Sequence, residues 1–267
     1  QNIRLDNGLI VTIQLHIQRR YGRNAWAMIL LNKCDMADNQ VTAQWISYYN
    51  NKGIPALAID CKSGKGQNNF VPATRKLLSG LIEAKQKKGI PNPTIRVMIV
   101  GIPNVGKSTF INSFAGKACT KTGNKPGVTK QKQWIRINEK IELLDTPGVL
   151  WPKFESEEVA LNLSFTGTIK DDILAQTEIA YQLLKYLLHN YIENVCDRYN
   201  FKKEELEEIL SQDNEENINI YEVMQKIGKK RGALISGGNI DDEKTSKIIL
   251  DDFRSGKLGN ITLEKVK

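Results

Sequence analysis

The chain has no long apolar run. Its longest candidates, residues 26–31 and 97–100, are the length of strands, whereas a membrane span needs about 18 or more apolar residues in succession. Insertion into a membrane is therefore not expected. Cysteine is sparse and scattered: Cys34, Cys61, Cys119 and Cys196 form no C-x-x-C pair. That argues against a zinc site or a disulfide framework and for reduced thiols in the cytoplasm. Residues 1–24 carry neither a signal-peptide pattern nor a clear helical period, and because the first residue is Gln rather than Met the natural start is expected upstream. No internal repeat or long low-complexity tract occurs. What remains, 40% hydrophobic and 25% charged residues in 267, is the composition of a folded globular protein. The formal charge of +8 favours a polyanionic partner, although a basic surface that merely maintains solubility accounts for charge alone equally well.

The order of elements separates three regions. Residues 1–24 have no assigned role. From Trp26 an apolar strand over 27–31 ends at Asn32-Lys33-Cys34-Asp35, and a helix with Trp45, Ile46 and Tyr49 on one face follows. A strand over 54–59 and a loop over 60–66 complete a β-α-β unit. Residues 71–87 read as a helix that must stop before Gly89-Ile90-Pro91-Asn92-Pro93. A strand over 95–100 then runs into a glycine-containing turn and a helix over about 107–114. Residues 133–137 and 140–144 read as a hairpin about Asn138-Glu139. Strands alternating with helices predict an α/β domain over 25–150, with helices on both faces of its sheet. After Trp151-Pro152 only helical periods recur, at 156–173, 175–191, 203–210, 220–229 and 242–254, which predicts a small all-α domain over 151–267.

Gly101-Ile102-Pro103-Asn104-Val105-Gly106-Lys107-Ser108 is a complete G-x-x-x-x-G-K-S between a strand and a helix. Its fixed positions coincide by chance in roughly 1 in 100 chains of this length, before that context is demanded. Such a loop turns successive backbone N–H groups, here through Val105, Gly106, Lys107, Ser108 and Thr109, toward phosphate oxygens at the positive end of a helix. Lys107 is expected on the β and γ phosphates and Ser108 on Mg²⁺. Asp145-Thr146-Pro147-Gly148 closes a strand, where Asp145 suits Mg²⁺ and the Gly148 N–H suits the γ phosphate. Alone this tetrapeptide is better read as a plain turn; beside a phosphate loop it reads as a nucleotide switch. Asn32-Lys33-Cys34-Asp35 fits N-K-x-D, in which the Asp35 carboxylate accepts from guanine N1–H and the exocyclic amine; adenine lacks that donor pair. The plain alternative is a helix start capped by Asp35 or Asp38.

Taken together these motifs resemble those of translation-factor-class GTPases, but in circularly permuted order: Asn32 to Asp35, Asp60-Cys61-Lys62, the phosphate loop, Thr129, then Asp145 to Gly148. Permutation preserves every strand's neighbours and leaves both sites at one sheet edge. Within permuted GTPases the chain resembles the bacterial ribosome biogenesis GTPase A (YlqF) family from about residue 26 onward. The resemblance is carried by Leu31 to Asp35, Gly101 to Thr109, Lys125-Pro126-Gly127-Val128-Thr129, Leu144 to Lys153, Lys229-Lys230-Arg231-Gly232 and Ser236-Gly237-Gly238. It implies GTP/GDP and Mg²⁺ as ligands, GTP hydrolysis coupled to late maturation of the large ribosomal subunit, and a helical domain that contacts ribosomal RNA. It also implies a cytoplasmic protein, expected as a monomer. Two departures stand out. The family's N-terminal W-F-P-G-H-M and D-A-R segments are not found, and His16 lies in an unrelated context. The family's Ser in the base-stacking loop is Cys61 here, which leaves carbonyl recognition to backbone N–H groups and Lys62.

The residue after Asp-Thr-Pro-Gly is Val149, which cannot orient water by hydrogen bonding. Hydrolysis is therefore expected to be slow in the isolated protein, with the missing group supplied by the N-terminal region, a monovalent cation or the partner. Asn104 resembles the phosphate-loop asparagine that coordinates K⁺ in cation-activated GTPases, while a turn-stabilising asparagine explains it equally well. Thr129 is expected to be the switch threonine that binds Mg²⁺ when γ phosphate is present. In the helical region Lys226, Lys229, Lys230, Arg231, Lys244, Lys247, Arg254 and Lys257 suit RNA phosphates, against the alternative of a solvated helix face. A GTP-dependent protein or membrane recruitment switch with no RNA role is the competing functional reading. An ATPase is a third.

Overall fold

The structure is a computed structural model that describes residues 11–17, 26–115, 133–138, 141–145, 156–169, 176–211 and 216–266. The chain divides into two compact units, one running to Lys153 and including Thr262–Lys267, the other Phe154–Ile261.

The first unit is built on a six-stranded sheet. Its strands are β1 (Val11–Ile17), β2 (Trp26–Asn32), β3 (Ala56–Ala58), β4 (Ile95–Val100), β5 (Gln133–Asn138) and β6 (Ile141–Asp145), in the order β3-β2-β1-β4-β6-β5. β2 pairs parallel with β3, and β4 parallel with β6. β1 lies antiparallel to both β2 and β4, so β2 and β4 point the same way. Consequently Asn32, the 59–61 turn, Gly101 and Asp145 all emerge at one edge, as ligand sites of open α/β sheets require. β5 and β6 form the expected hairpin, with an irregularity between Arg136 and Asn138. β1 falls where no strand was expected.

Helices cover both faces. α1 (Asn39–Asn51) lays Val41, Trp45 and Tyr49 on Ile29 and Leu31 of β2. On the other face lie α2 (Phe70–Leu77), α3 (Ser79–Lys87) and α4 (Lys107–Ala115), over Met28, Leu30, Val97, Ile99 and Leu143. Alternate residues of β2 thus serve opposite cores, as the pleat dictates. The single helix expected over 71–87 is two, because the chain bends at Leu78, whose buried side chain turns into the core. Phe70 of α2 meets Phe110 and Phe114 of α4 edge-on, at 5.1 and 5.3 Å. Such pairs contribute about 0.5–1.5 kcal/mol beyond burial. They fasten the helix after the base-side loop to the helix after the phosphate-side loop.

The second unit is helical: α5 (Glu157–Phe165), α6 (Gln176–Asn190), α7 (Ile192–Tyr199), α8 (Lys203–Ser211), α9 (Glu216–Lys230) and α10 (Asp242–Arg254). α6 supplies its middle, with Ala180, Leu183, Leu184 and Leu187 wholly buried at i, i+3, i+4 and i+7. α7 was not anticipated; it follows α6 directly, and Asn200 in the left-handed conformation ends it. Among the described residues the only strand-like pairing here is the bridge Leu234–Ile240. Arg254 donates to the carbonyls of Phe165 and Ser164 at 2.9 and 2.8 Å, satisfying the C-terminal end of α5. Arg198 holds Asp252 with two bonds, Nε to Oδ2 at 2.9 Å and Nη2 to Oδ1 at 2.7 Å, the carboxylate being only 4% exposed. Among the described residues no helix is long and apolar enough to cross a membrane. Asp252→Ala strands Arg198 and is expected to destabilise the helical unit by about 3 kcal/mol, read as a fall in its denaturation midpoint, whereas Lys203→Ala, which breaks only exposed pairs, should leave the midpoint unmoved.

Candidate functional site

Four chain segments converge at the sheet edge, and one side chain joins the two that matter most. Asn32, the last residue of β2, is buried. Its Nδ2 donates to the carbonyl of Val105 in the phosphate loop at 2.9 Å, and its Oδ1 accepts from the backbone N–H of Cys61 at 3.0 Å. The base-side turn, the 60–66 loop and the phosphate loop are thereby tied to one amide. Gly106 must lack a side chain for this to happen: its φ is +92° and a Cβ would lie 2.3 Å from Asn32 Nδ2.

The phosphate loop is closed around its lysine. Lys107, 7% exposed at the start of α4, donates through Nζ to the carbonyls of Gly101 at 2.8 Å and Ile102 at 2.7 Å. The ammonium thus spans the loop from below, while Val105 is buried and Gly106, Ser108 and Thr109 are half-buried. Asn104, at φ +61°, takes the left-handed conformation that asparagine tolerates better than most residues. That conformation agrees with the turn-stabilising role and leaves the cation role to be tested.

On the base side, Asp38 and not Asp35 caps α1: Asp38 Oδ1 accepts from the N–H groups of Gln40 at 2.7 Å and Val41 at 3.1 Å. Asp35 is exposed at the tip of the turn. Lys33 sits at φ +57°, and burial lowers its ammonium's pKa against the opposing pull of Asp35. Burial raises the thiol of Cys34, and burial together with the Asp60 charge pushes that of Cys61 up to about 12, so both stay protonated.

The 60–66 loop folds back on Asp60, which the motif order includes but to which the sequence assigned no role. Asp60, 4% exposed, accepts from the N–H of Lys62 at 2.8 Å through Oδ1 and from that of Ser63 at 3.0 Å through Oδ2. Burial pushes its carboxyl up, but the Ser63 hydroxyl, these two amides and the Lys62 charge outweigh it and hold the pKa below the ordinary carboxylate value. The N–H groups of Cys61 and Lys62 therefore donate within the protein, and the Lys62 side chain is exposed. The signal for Asp60 was an Asx turn, an Asp followed by small and polar residues up to Gly64.

A sequence model of the family described as "50S ribosome-binding GTPase" matches residues 96–226. That span begins in β4 and leaves Asn32 to Asp35 outside it, in keeping with the permuted order. A protein of Priestia megaterium, "Ribosome biogenesis GTPase A", is 45% identical over 238 residues, covering 89% of this chain and 78% of its own length. Its namesake from Bacillus licheniformis is 44% identical over 243 residues, covering 91% and 82%. The chain belongs to the ribosome biogenesis GTPase A family. The GDP-bound structure of TM YlqF, at 24% identity and covering 89% of this chain and 82% of its own, shares the fold with a TM-score of 0.59.

This member of the family is a circularly permuted P-loop GTPase that binds guanine nucleotide. Its described residues fit that ligand: a loop of N–H groups opened by Gly106, an ammonium held at its base, and an exposed Asp35 within the turn that Asn32 ties to the loop. For Mg²⁺ the donor set is one of hard oxygens, as that ion prefers. Ser108 lies on α4, and the Asp145 backbone pairs in register with Ile99, two residues before the phosphate loop. Thr129, Gly148 and Val149 lie outside the described residues.

Asn32→Ala leaves both the Val105 carbonyl and the Cys61 N–H without their partner. At about 1–3 kcal/mol for each buried orphan, GDP affinity should fall roughly 100-fold by calorimetry. Because the Asp60 pKa is depressed, the carboxylate's contribution is fully present above the unfolded value of about 4 and is lost as pH falls through the lower folded value. Folding stability should therefore show no Asp60-dependent change between pH 7 and pH 5, and the Asp60-dependent loss below about pH 4 should be absent from an Asp60→Asn variant, read by denaturation midpoints.

Proposed function

We propose that the chain couples GTP hydrolysis to late maturation of the large ribosomal subunit in the cytoplasm, acting as a monomer that contacts ribosomal RNA through its helical unit. The observation that carries this reading is its match, over about nine-tenths of its length, to relatives named for ribosome biogenesis.

On the nucleotide side, Asp35 accepts from guanine N1–H and the exocyclic amine, with Asn32, Lys33, Cys61 and Lys62 framing the base. The N–H groups of residues 105–109 receive the phosphates, and Lys107 moves from the Gly101 and Ile102 carbonyls to the β and γ oxygens. Mg²⁺, when bound, neutralises charge between those phosphates; Ser108, Thr129 and Asp145 are the residues that hold it. The Gly148 N–H meets the γ phosphate. Val149 offers the attacking water no hydrogen bond, so hydrolysis awaits another group, from the N-terminal region, K⁺ at Asn104 or the ribosomal partner.

The helical unit supports an RNA contact through the way its cations are held. Lys230 donates to the carbonyl of Asn200 and lies over the Phe201 ring, Arg231 donates to that of Arg198, and Lys244 to that of Gly232. Neutral acceptors orient these charges without cancelling them, and phosphates can then take the remaining donors. Lys226 and Lys257, by contrast, face Glu205 and Asp252, and Arg254 caps α5. The RNA surface therefore centres on Lys229, Lys230, Arg231 and Lys244.

The test measures GTP turnover with and without purified large subunits, in K⁺ and in Na⁺. Stimulation of roughly ten-fold or more by large but not small subunits is expected, and unchanged turnover with intact GTP binding removes the partner. Replacing Lys230 and Arg231 by Ala should lower the salt slope of subunit binding by about 2; an unchanged slope moves the RNA contact elsewhere. Equal rates in K⁺ and Na⁺ dismiss the cation role of Asn104.

A further inference from the structure

The N-cap residue of a helix carries an N–H that lies outside the helix's own ladder, and the usual local acceptor is a Glu or Gln side chain three residues on. In α1 that position is the apolar Val41. The acceptor comes instead from 224 positions away: the Asp38 N–H donates to Thr262 Oγ1 at 2.9 Å. Thr262 is 6% exposed. Two further contacts follow along the same segment. Trp45 Nε1 donates to the Glu264 carbonyl at 3.2 Å, and Val266 packs on the core formed by α1 and β2. Residues 262–266 thus form a strap on the nucleotide-binding unit, although the residues just before them, to Ile261, belong to the helical one.

The strap meets α1 three residues after Asp35. Between Lys33 and Asp38 the chain makes one tight turn, closed by the Met36 N–H on the Lys33 carbonyl at 3.0 Å. One end of the turn is fixed where Asn32 clamps the phosphate loop, and the other is fixed at Asp38. We infer that Thr262 is a positioning residue for guanine recognition: its hydroxyl anchors the Asp38 end of the turn and so sets where the Asp35 carboxylate stands. The inference rests on the proposed role of Asp35 as the group that reads the guanine amine.

The experiment compares GDP with IDP, which lacks the exocyclic 2-amino group that Asp35 would bind, by calorimetry on the full chain. Thr262→Val keeps the shape of the side chain and removes the acceptor. It should weaken GDP by about ten-fold and IDP by less than about three-fold, so that the GDP-over-IDP preference falls. Thr262→Ser, which retains the hydroxyl, should restore that preference, and Trp45→Phe, which removes the donor to the Glu264 carbonyl, should lower it independently. Pyrophosphate, which engages only the phosphate loop, should bind all variants alike. An unchanged preference in Thr262→Val overturns the proposal whatever Trp45→Phe does, and so does an equal loss of GDP and IDP, which marks general loosening. Asp35→Ala separates the premise from the inference: if it leaves the preference intact, Asp35 does not read the amine and the proposal falls with that reading. If it abolishes the preference while Thr262→Val does not change it, only the strap is wrong.

Discussion

A single buried amide links the parts of this nucleotide site. Asn32 can satisfy its oxygen only with a donor and its nitrogen only with an acceptor, and the structure gives it one of each, on two different loops. The pairing is directional, so it fixes how the loops face one another as well as their separation. The partners lie 73 and 29 positions away along the chain. Circular permutation has put base recognition first and phosphate binding later, and the clamp makes this order irrelevant to the geometry. Gly106 is the counterpart of Asn32, since any side chain there would occupy the place of its amide nitrogen.

What the sequence disclosed and what it withheld divide along the range of the interactions. β2, β4 and the phosphate loop were legible because apolar runs, glycine spacing and a following helix are local signals. The hairpin of β5 and β6 was legible for the same reason. β1 was passed over although Val11, Ile13, Leu15 and Ile17 alternate with polar residues; the strand stands apart from the motifs, and its place inside the sheet depends on β4, far along the chain, as well as on the neighbouring β2. α7 falls between the helices expected over 175–191 and 203–210, where no helix was assigned. The bend at Leu78 was missed because its flanks share one period and only the core decides where the chain turns. The part of Asp60 in holding its loop went unread although an Asx-turn pattern marks it, and Thr262 was missed because its burial depends on a partner 224 positions away.

In the helical unit, charge alone is ambiguous, and the partners of the cations differ. Arg198 meets the buried carboxylate of Asp252 and serves the interior. Lys230, Arg231 and Lys244 meet backbone carbonyls, which orient them and leave their charge uncancelled by a carboxylate. The distinction cannot be read from composition, since both sets are Lys and Arg on helices and their connections.

The helical unit is also an insertion in the topological sense: the chain leaves the nucleotide-binding unit after Lys153 and rejoins it at Thr262. The outgoing end follows the strand that finishes at Asp145, on the phosphate side, and the returning end is the strap against α1, on the base side. The fold of the nucleotide-binding unit is therefore not complete when its last strand is: the segment that holds α1 reaches it only after the whole helical unit has been traversed.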